Sequence, residues 1–254
     1  MRLIRYSLSG QDPRYGWIMG DRVGPIDGNP FGEYRRLEAE TPLDSIRILS
    51  PVTPGKIIGV GRNYVEHARE QKVDVPEIPL IFLKPSSSVI GPGETIILPP
   101  QSKRVEHEAE LAVVIGKKGK QIQLEEARKY ILGYTIANDV TARDIQRKDG
   151  QWTRGKGFDT FCPVGPWIET ELDETDLQIN CRVNDEMRQM TSTREMIFTV
   201  PQLIAFISAC MTLEPGDLIL TGTPAGTAPL AAGDVISISI EGIGTLTNKA
   251  GVEK

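Results

Sequence analysis

The stretch VEHEAELAVVIG, residues 105–116, sets carboxylates at alternate positions, Glu106, Glu108 and Glu110. Successive side chains of a strand point to opposite faces, so these three share one face with Ala112 and Val114. Val105, His107, Ala109, Leu111 and Val113 take the other. Two carboxylates about 4 Å apart repel by roughly 4 kcal/mol at an effective dielectric near 20, so such a cluster needs protons, basic partners or a cation. All-oxygen ligation selects Mg²⁺, Mn²⁺ or Ca²⁺ over zinc, and a partly hydrated Mg²⁺ leaves positions for substrate oxygens. The competing reading is an edge strand with a solvated acidic face, and these residues alone favour it. A second pair, His67 and Glu70, stands three apart on one side of a predicted helix, where the carboxylate could orient the imidazole and raise its pKa. Gly150 to Gly155-Lys156 has the spacing of a phosphate-binding loop, but position 157 is glycine, so the hydroxyl that would hold Mg²⁺ is missing. The preceding TARDIQRK also reads as helix where a strand is required, which argues against a nucleotide hydrolase. Gly59-Val60-Gly61 is followed by Tyr64 where a dinucleotide fingerprint wants glycine, so nicotinamide and flavin cofactors are unsupported.

The elements that must position these groups are mostly short strands. RLIRYSL, YGWIM and RVGPI form a small β-rich unit, and the prolines at 51 and 54 mark a boundary before the apolar strand KIIGVG. We therefore divide the chain into a small domain over 1–52 and a main domain over 53–254. NYVEHAREQ reads as a short exposed helix, HEAELAVVIGK as one long strand, LEEARKYIL and TARDIQRK as helices, and YTIAND and LQINCRVND as strands. Thr199 is a credible N-cap for VPQLIAFISACM, with Pro201 tolerated in the first turn. DLILTG and DVISISIEGIGTLTN close the chain as strands. Strands outnumber helices, so the fold class is α+β and β-rich rather than a repeating βαβ sheet.

The 254 residues carry a formal net charge of −5, and no block of like charges offers a footprint for nucleic acid or anionic lipid. Neither a signal-peptide run after Met1–Gly10 nor a spanning segment is visible, so neither nucleic acid nor a membrane is an expected partner and a cytoplasmic location is the default. Cys162, Cys181 and Cys210 are an odd count at wide spacing and read as buried small hydrophobes.

Four blocks in order are more specific than any single group. His107-Glu108-Ala109-Glu110-Leu111, Asn138-Asp139 with Thr141-Ala142-Arg143-Asp144, Lys156-Gly157-Phe158-Asp159, and Gly222-Thr223-Pro224 with Gly226 resemble the signature blocks of the fumarylacetoacetate hydrolase superfamily. The likeness is to bacterial members of the acylpyruvase and 2-hydroxyhepta-2,4-diene-1,7-dioate isomerase type, and it covers roughly residues 53–250. It implies a mixed β-sandwich or roll as catalytic domain, a homodimer, and Mg²⁺ or Mn²⁺ on Glu108, Glu110 and Asp139. Glu106 falls outside the motif and is expected to be solvated or behind the ligands, and His107, on the opposite face, to be structural. Gly61-Arg62-Asn63-Tyr64 with His67 and Glu70 resembles the lid that carries a His–Glu catalytic dyad in acylpyruvate-cleaving members, which makes His67 the general base. Lys156, Arg143, Gln146 and Thr223 would hold a substrate carboxylate and the developing enolate. Lys156, between glycines, is the strongest of these, because an ammonium beside an oxyanion lowers a charge-accumulating transition state. For Arg143 the alternative is a structural ion pair. Val183-Asn184-Asp185-Glu186 and Arg188-Gln189 look like a β-turn and loop at the site's edge or at a dimer contact. The substrate class implied is a small 2-oxo or dicarboxylic acid. The dyad favours hydrolytic carbon–carbon cleavage of acylpyruvate or fumarylpyruvate through a metal-stabilised pyruvate enolate. Oxaloacetate decarboxylation or tautomerisation and dioate isomerisation remain open on the same site.

Overall fold

The computed structural model describes residues 1–253. A large mixed sheet runs, strand beside strand, from Tyr34–Arg36 through Arg22–Gly28, Arg14–Met19, Arg2–Ser7, Cys162–Glu169, Ile131–Asn138, Ala109–Ile115, Leu218–Leu220 and Ile57–Gly61 to Leu80–Lys84. Leu218–Leu220 and Ile57–Gly61 run parallel, and the other neighbours on this path are antiparallel. A second sheet, ordered Thr95–Ile97, Gly244–Gly251, Val235–Ile240, Gln178–Val183 and Glu186–Ser192, packs against one face of the first.

Ala109–Ile115 sits in the middle of the large sheet, paired on both sides. Leu111, Val113 and Ile115 enter a core shared with Ile179, Ile238 and Leu246 of the small sheet and Leu203 and Ile207 of helix Val200–Cys210. Ala112 and Val114 enter a second core with Leu3, Val164 and Leu218. A strand covered on both faces reads as a near-continuous apolar run, which ELAVVI is. An edge strand with a solvated acidic face is therefore excluded, and Glu106, Glu108 and Glu110 are all buried.

The amino-terminal hairpins keep a small core of their own, Ile4, Tyr6 and Val23. Their sheet continues into the rest of the chain, because Arg2 and Leu3 lie opposite Glu169 and Ile168 and the terminal amine reaches Glu169 at 2.7 Å.

The described residues form four α-helices: α1 (Val65–Glu70), α2 (Arg143–Asp149), α3 (Thr153–Lys156) and α4 (Val200–Cys210). At the start of α4 the Gln202 side chain accepts the Thr199 N–H at 2.8 Å, with Pro201 in the first turn. Other local expectations change. HEAELAVVIGK holds one strand, Ala109–Ile115, but the alternation over VEHEAELAVVIG is interrupted: Val105–Glu106 pairs with Thr141–Ala142, and the ladder resumes at Ala109. Between them the Asn138 side chain accepts the Glu108 N–H at 2.9 Å and the Glu108 carbonyl accepts the Asp139 N–H at 2.9 Å. LEEARKY forms a 3-10 helix, Leu124–Tyr130, and α1 buries His67 and Ala68 rather than lying exposed. Cys162–Glu169, which the sequence reading does not assign, forms a central strand despite its two prolines and a glycine. Cys162 and Cys181 are buried as expected, but Cys210, at the open end of α4, is exposed. No helix of the described residues is long and apolar enough to cross a membrane.

Candidate active site

The break at His107-Glu108 re-aims the acidic side chains. One carboxylate oxygen from each of Glu108, Glu110 and Asp139 lies within 4.8 Å of the others, and all three residues are buried. Three buried carboxylates this close need positive charge or protons. Lys156 Nζ stands between two of them, 2.7 Å from Glu108 Oε2 and 2.5 Å from Asp139 Oδ2. Arg143 reaches the other oxygen of Glu108 and, through Nε at 2.8 Å, the buried Glu106. Glu106 also accepts from Arg104 at 2.6 Å, so it is a buried counter-charge for Arg143 rather than a solvated group.

Glu108 and Glu110 fare differently. Burial alone would push Glu108 up, but the Lys156 ammonium and the Arg143 guanidinium hold it well below the ordinary range. Glu110 has no cation of its own. Burial, then the neighbouring Asp139 and Glu108 charges, push it well above the ordinary range, against the one N–H it accepts, from Gly222 at 2.7 Å. For Lys156, burial works against the ammonium, and the Asp139 and Glu108 carboxylates overcome it and hold its pKa above the ordinary value. An all-oxygen triad with one uncompensated carboxyl fits a hard divalent cation.

Lys84 adjoins the triad, and reading the sequence missed it. Its fully buried ammonium donates to Asp139 Oδ1 at 2.6 Å and to the Lys156 carbonyl. The visible sign was a lysine ending the apolar strand LIFLK just before Pro85, where a charge needs a buried partner.

Gly222-Thr223-Pro224 lies beside Glu110. Gly222 has φ +97°, and a Cβ there would come 2.7 Å from the Asn63 Cβ. The Thr223 hydroxyl donates to the Ala109 carbonyl at 2.9 Å and accepts from Gln189 Nε2 at 2.8 Å. Gln189 has all its polar capacity in use: its oxygen faces His107 Nδ1 and the Ala109 N–H, and its amide also donates to the Pro224 carbonyl. It lies in the strand Glu186–Ser192 rather than in a loop, and ties the small sheet to both halves of the acidic segment. His107 is fully buried in this network, away from the triad.

α1 places His67 over the triad. His67 Nδ1 lies 3.3 Å from Glu70 Oε2, and Glu70 accepts the Gly226 N–H at 3.0 Å. Burial would raise the Glu70 carboxyl, yet its bond to His67 and the Gly226 N–H hold it below the ordinary range. A cavity of about 260 Å³ collects His67, Glu108, Glu110, Arg143, Gln146, Lys156 and Thr223 in its lining. Asp139 and Glu70 are set back, behind Lys156 and His67. Three of the five Arg143 N–H groups are committed, to Glu106, Glu108 and Gln146, which leaves two for a ligand.

Residues 56–250 match the family model described as Fumarylacetoacetate (FAA) hydrolase C-terminal, and residues 1–51 the model described as Rv2993c-like, N-terminal. An uncharacterized protein of Methanocaldococcus jannaschii is 56% identical over 205 residues, 81% of this chain and 86% of its own length. The mitochondrial oxaloacetate tautomerase Fahd2a of Rattus norvegicus is 48% identical, with 98% of this chain and 91% of its own covered. Among solved structures, 2-hydroxyhepta-2,4-diene-1,7-dioate isomerase from Mycobacterium marinum superposes with a TM-score of 0.92 at 44% identity, over 100% of this chain and 99% of that one.

Proposed function

The chain belongs to the fumarylacetoacetate hydrolase family, and on that premise we propose that it enolises a small 2-oxo acid, with keto–enol tautomerisation of an oxaloacetate-type substrate as the net reaction. One observation carries this reading: His67, Lys156, Glu108 and Glu110 line one small cavity, with Glu70 bonded to His67 and Asp139 bonded to Lys156 outside the lining. Mg²⁺ or Mn²⁺ held by Glu108, Glu110 and Asp139 would supply Lewis acidity at the keto-acid end of the substrate. His67 takes the proton from the carbon next to the keto group and returns it to oxygen, with Glu70 fixing the ring through Nδ1 so that Nε2 does the exchange. Lys156 provides fixed positive charge where the keto oxygen gains electron density, and its two carboxylate contacts keep it protonated. Arg143 and Gln146 hold the substrate carboxylate with the donors that Glu106 and Glu108 leave free. Thr223 shapes the wall through its bonds to Ala109 and Gln189.

Hydrolytic cleavage of an acylpyruvate is the second reading. The dyad favours it, because an ionised Glu70 behind His67 also suits deprotonation of a water. The 48% identity to an oxaloacetate tautomerase along nearly the whole chain supports proton transfer as the first reading. The same reading carries a homodimer in the cytoplasm, with domains at 1–52 and 53–254; light scattering tests the first part.

The deciding experiment incubates the Mg²⁺-loaded protein with oxaloacetate and, separately, with acylpyruvates, and follows products by NMR. Faster enol–keto exchange without release of pyruvate or carbon dioxide is expected. Pyruvate and a carboxylic acid formed from acylpyruvate would install the second reading, and no acceleration of either reaction refutes both.

A further inference from the structure

The same cavity holds positive charge that the proposed reaction does not use. Arg62 and Arg147 both line it, Arg62 just beyond the strand Ile57–Gly61 and Arg147 one turn after Arg143 on α2. Arg143 and Lys156, in the same lining, are tied to carboxylates. Among the described residues neither Arg62 nor Arg147 has an acidic side chain within ion-pair reach or a side-chain hydrogen bond. Two arginines in the lining of one cavity, neither with an acidic partner, favour an anion there.

Arg62 is also held in place at a cost. Its φ is +59°, a left-handed conformation that glycine or asparagine adopts more readily. Non-glycine residues persist in such conformations where the surroundings over-determine them, as at ligand clamps. Here the guanidinium lies 5.8 Å from the centroid of the Trp152 ring, and Trp152 packs edge-on against Phe82 at 5.2 Å. Trp152 also lies flush on the backbone at Gly61, where an added Cβ would come within 2.5 Å of the ring. The arginine fork is therefore backed by an aromatic plane and presented to the cavity.

We infer that Arg62 and Arg147 form a subsite for a second carboxylate, so that the cavity selects 2-oxo dicarboxylates over 2-oxo monocarboxylates. This rests on the proposed function for placing the keto-acid end at the acidic triad. Planar guanidinium groups pair with carboxylate through parallel N–H donors, which a methyl group in the same place cannot accept. Arg147, at the rim, draws the anion in, and Arg62, against Trp152, fixes it.

The test is calorimetric titration of Mg²⁺-loaded protein with 2-oxoglutarate and 2-oxopentanoate, which differ by a terminal carboxylate against a methyl. The dicarboxylate is expected to bind about tenfold tighter, a ratio that falls to near one in the Arg62→Gln/Arg147→Gln double variant. Arg62→Lys, which keeps the charge without the fork, should retain part of the ratio, and Arg147→Gln alone, at an exposed position, checks the result free of any folding defect. Equal affinities in the wild type, or a ratio unchanged in the double variant, overturn the subsite. A wild type that shows the ratio yet enolises no 2-oxo acid keeps the subsite and refutes the reaction. One that tautomerises oxaloacetate with a ratio near one does the reverse.

Discussion

Replacing Glu110 by glutamine should make the metal-free protein more stable and abolish its stabilisation by metal. Glu110 is the member of the triad that lacks a cation and accepts only the Gly222 N–H. If it keeps its charge, each like-charged neighbour within 4.8 Å costs about 3.5 kcal/mol at an effective dielectric of 20. If it takes a proton, folding at pH 7 works against ionisation of the unfolded carboxyl, whose ordinary value is 4.5. At about 1.4 kcal/mol per pH unit, that route costs on the order of 3 kcal/mol. The two routes bound the same penalty. Glutamine has neither, keeps an oxygen for the Gly222 N–H, and turns an amide donor toward Glu108 and Asp139. Allowing for imperfect repacking, Glu110→Gln should gain about 2 kcal/mol, or roughly 4–8 °C in Tm for a chain of this size. The sign with pH follows from the raised pKa. The folded state binds the proton more tightly than the unfolded state, so wild-type stability falls as pH rises from 4.5 toward the raised value. The gain from the variant should shrink as pH drops toward 4.5. Differential scanning calorimetry in chelator, across pH, with and without Mg²⁺ or Mn²⁺, reads all of this. A metal-free variant that melts below wild type, or one that metal still stabilises fully, would show that the triad is not the strained cation site described above.

For the wild type, Mg²⁺ or Mn²⁺ at a hundredfold excess over its Kd should add about 2.7 kcal/mol, a rise of roughly 5–10 °C reversed by chelator; no shift means no resident metal. Lys84→Met leaves Asp139 Oδ1 and the Lys156 carbonyl without their buried donor, and urea unfolding should lose about 3–5 kcal/mol. His67→Ala should lower kcat for enol–keto exchange by about 10²–10⁴-fold and leave the metal-dependent rise in Tm intact; undiminished exchange would remove His67 as the base. Gly226→Ala puts a Cβ 1.9 Å from the Arg188 carbonyl at φ +102°, so the Gly226 N–H must leave Glu70. That variant should lose about 1–3 kcal/mol by thermal melting and most of its turnover.

Some of this protein was legible in its residues alone. The apolar run ELAVVI, the Thr199 cap and the Val235–Ile240 alternation specify local structure, because backbone geometry and hydrophobic period act over a few residues. The order of the four motif blocks pointed to the family and to Glu108, Glu110 and Asp139 as partners. What the chain could not declare by itself depends on contacts between distant segments. Alternation predicts that Glu106, Glu108 and Glu110 share a face, and only the interruption bonded by Asn138 and Asp139 sends Glu106 to Arg104 and Arg143 and the other two to Asp139. Lys84 looks like a strand-end surface lysine until the sheet sets it 55 positions away in sequence from its carboxylate. The solvated acidic face was the better guess from short-range pattern because burial of a strand is decided by its neighbours, here Ile131–Asn138 and Leu218–Leu220. Charge type and spacing are local properties that sequence fixes directly. Which charges meet in a medium that screens them poorly is set by the packing of the whole chain, and there the chemistry of this site is decided.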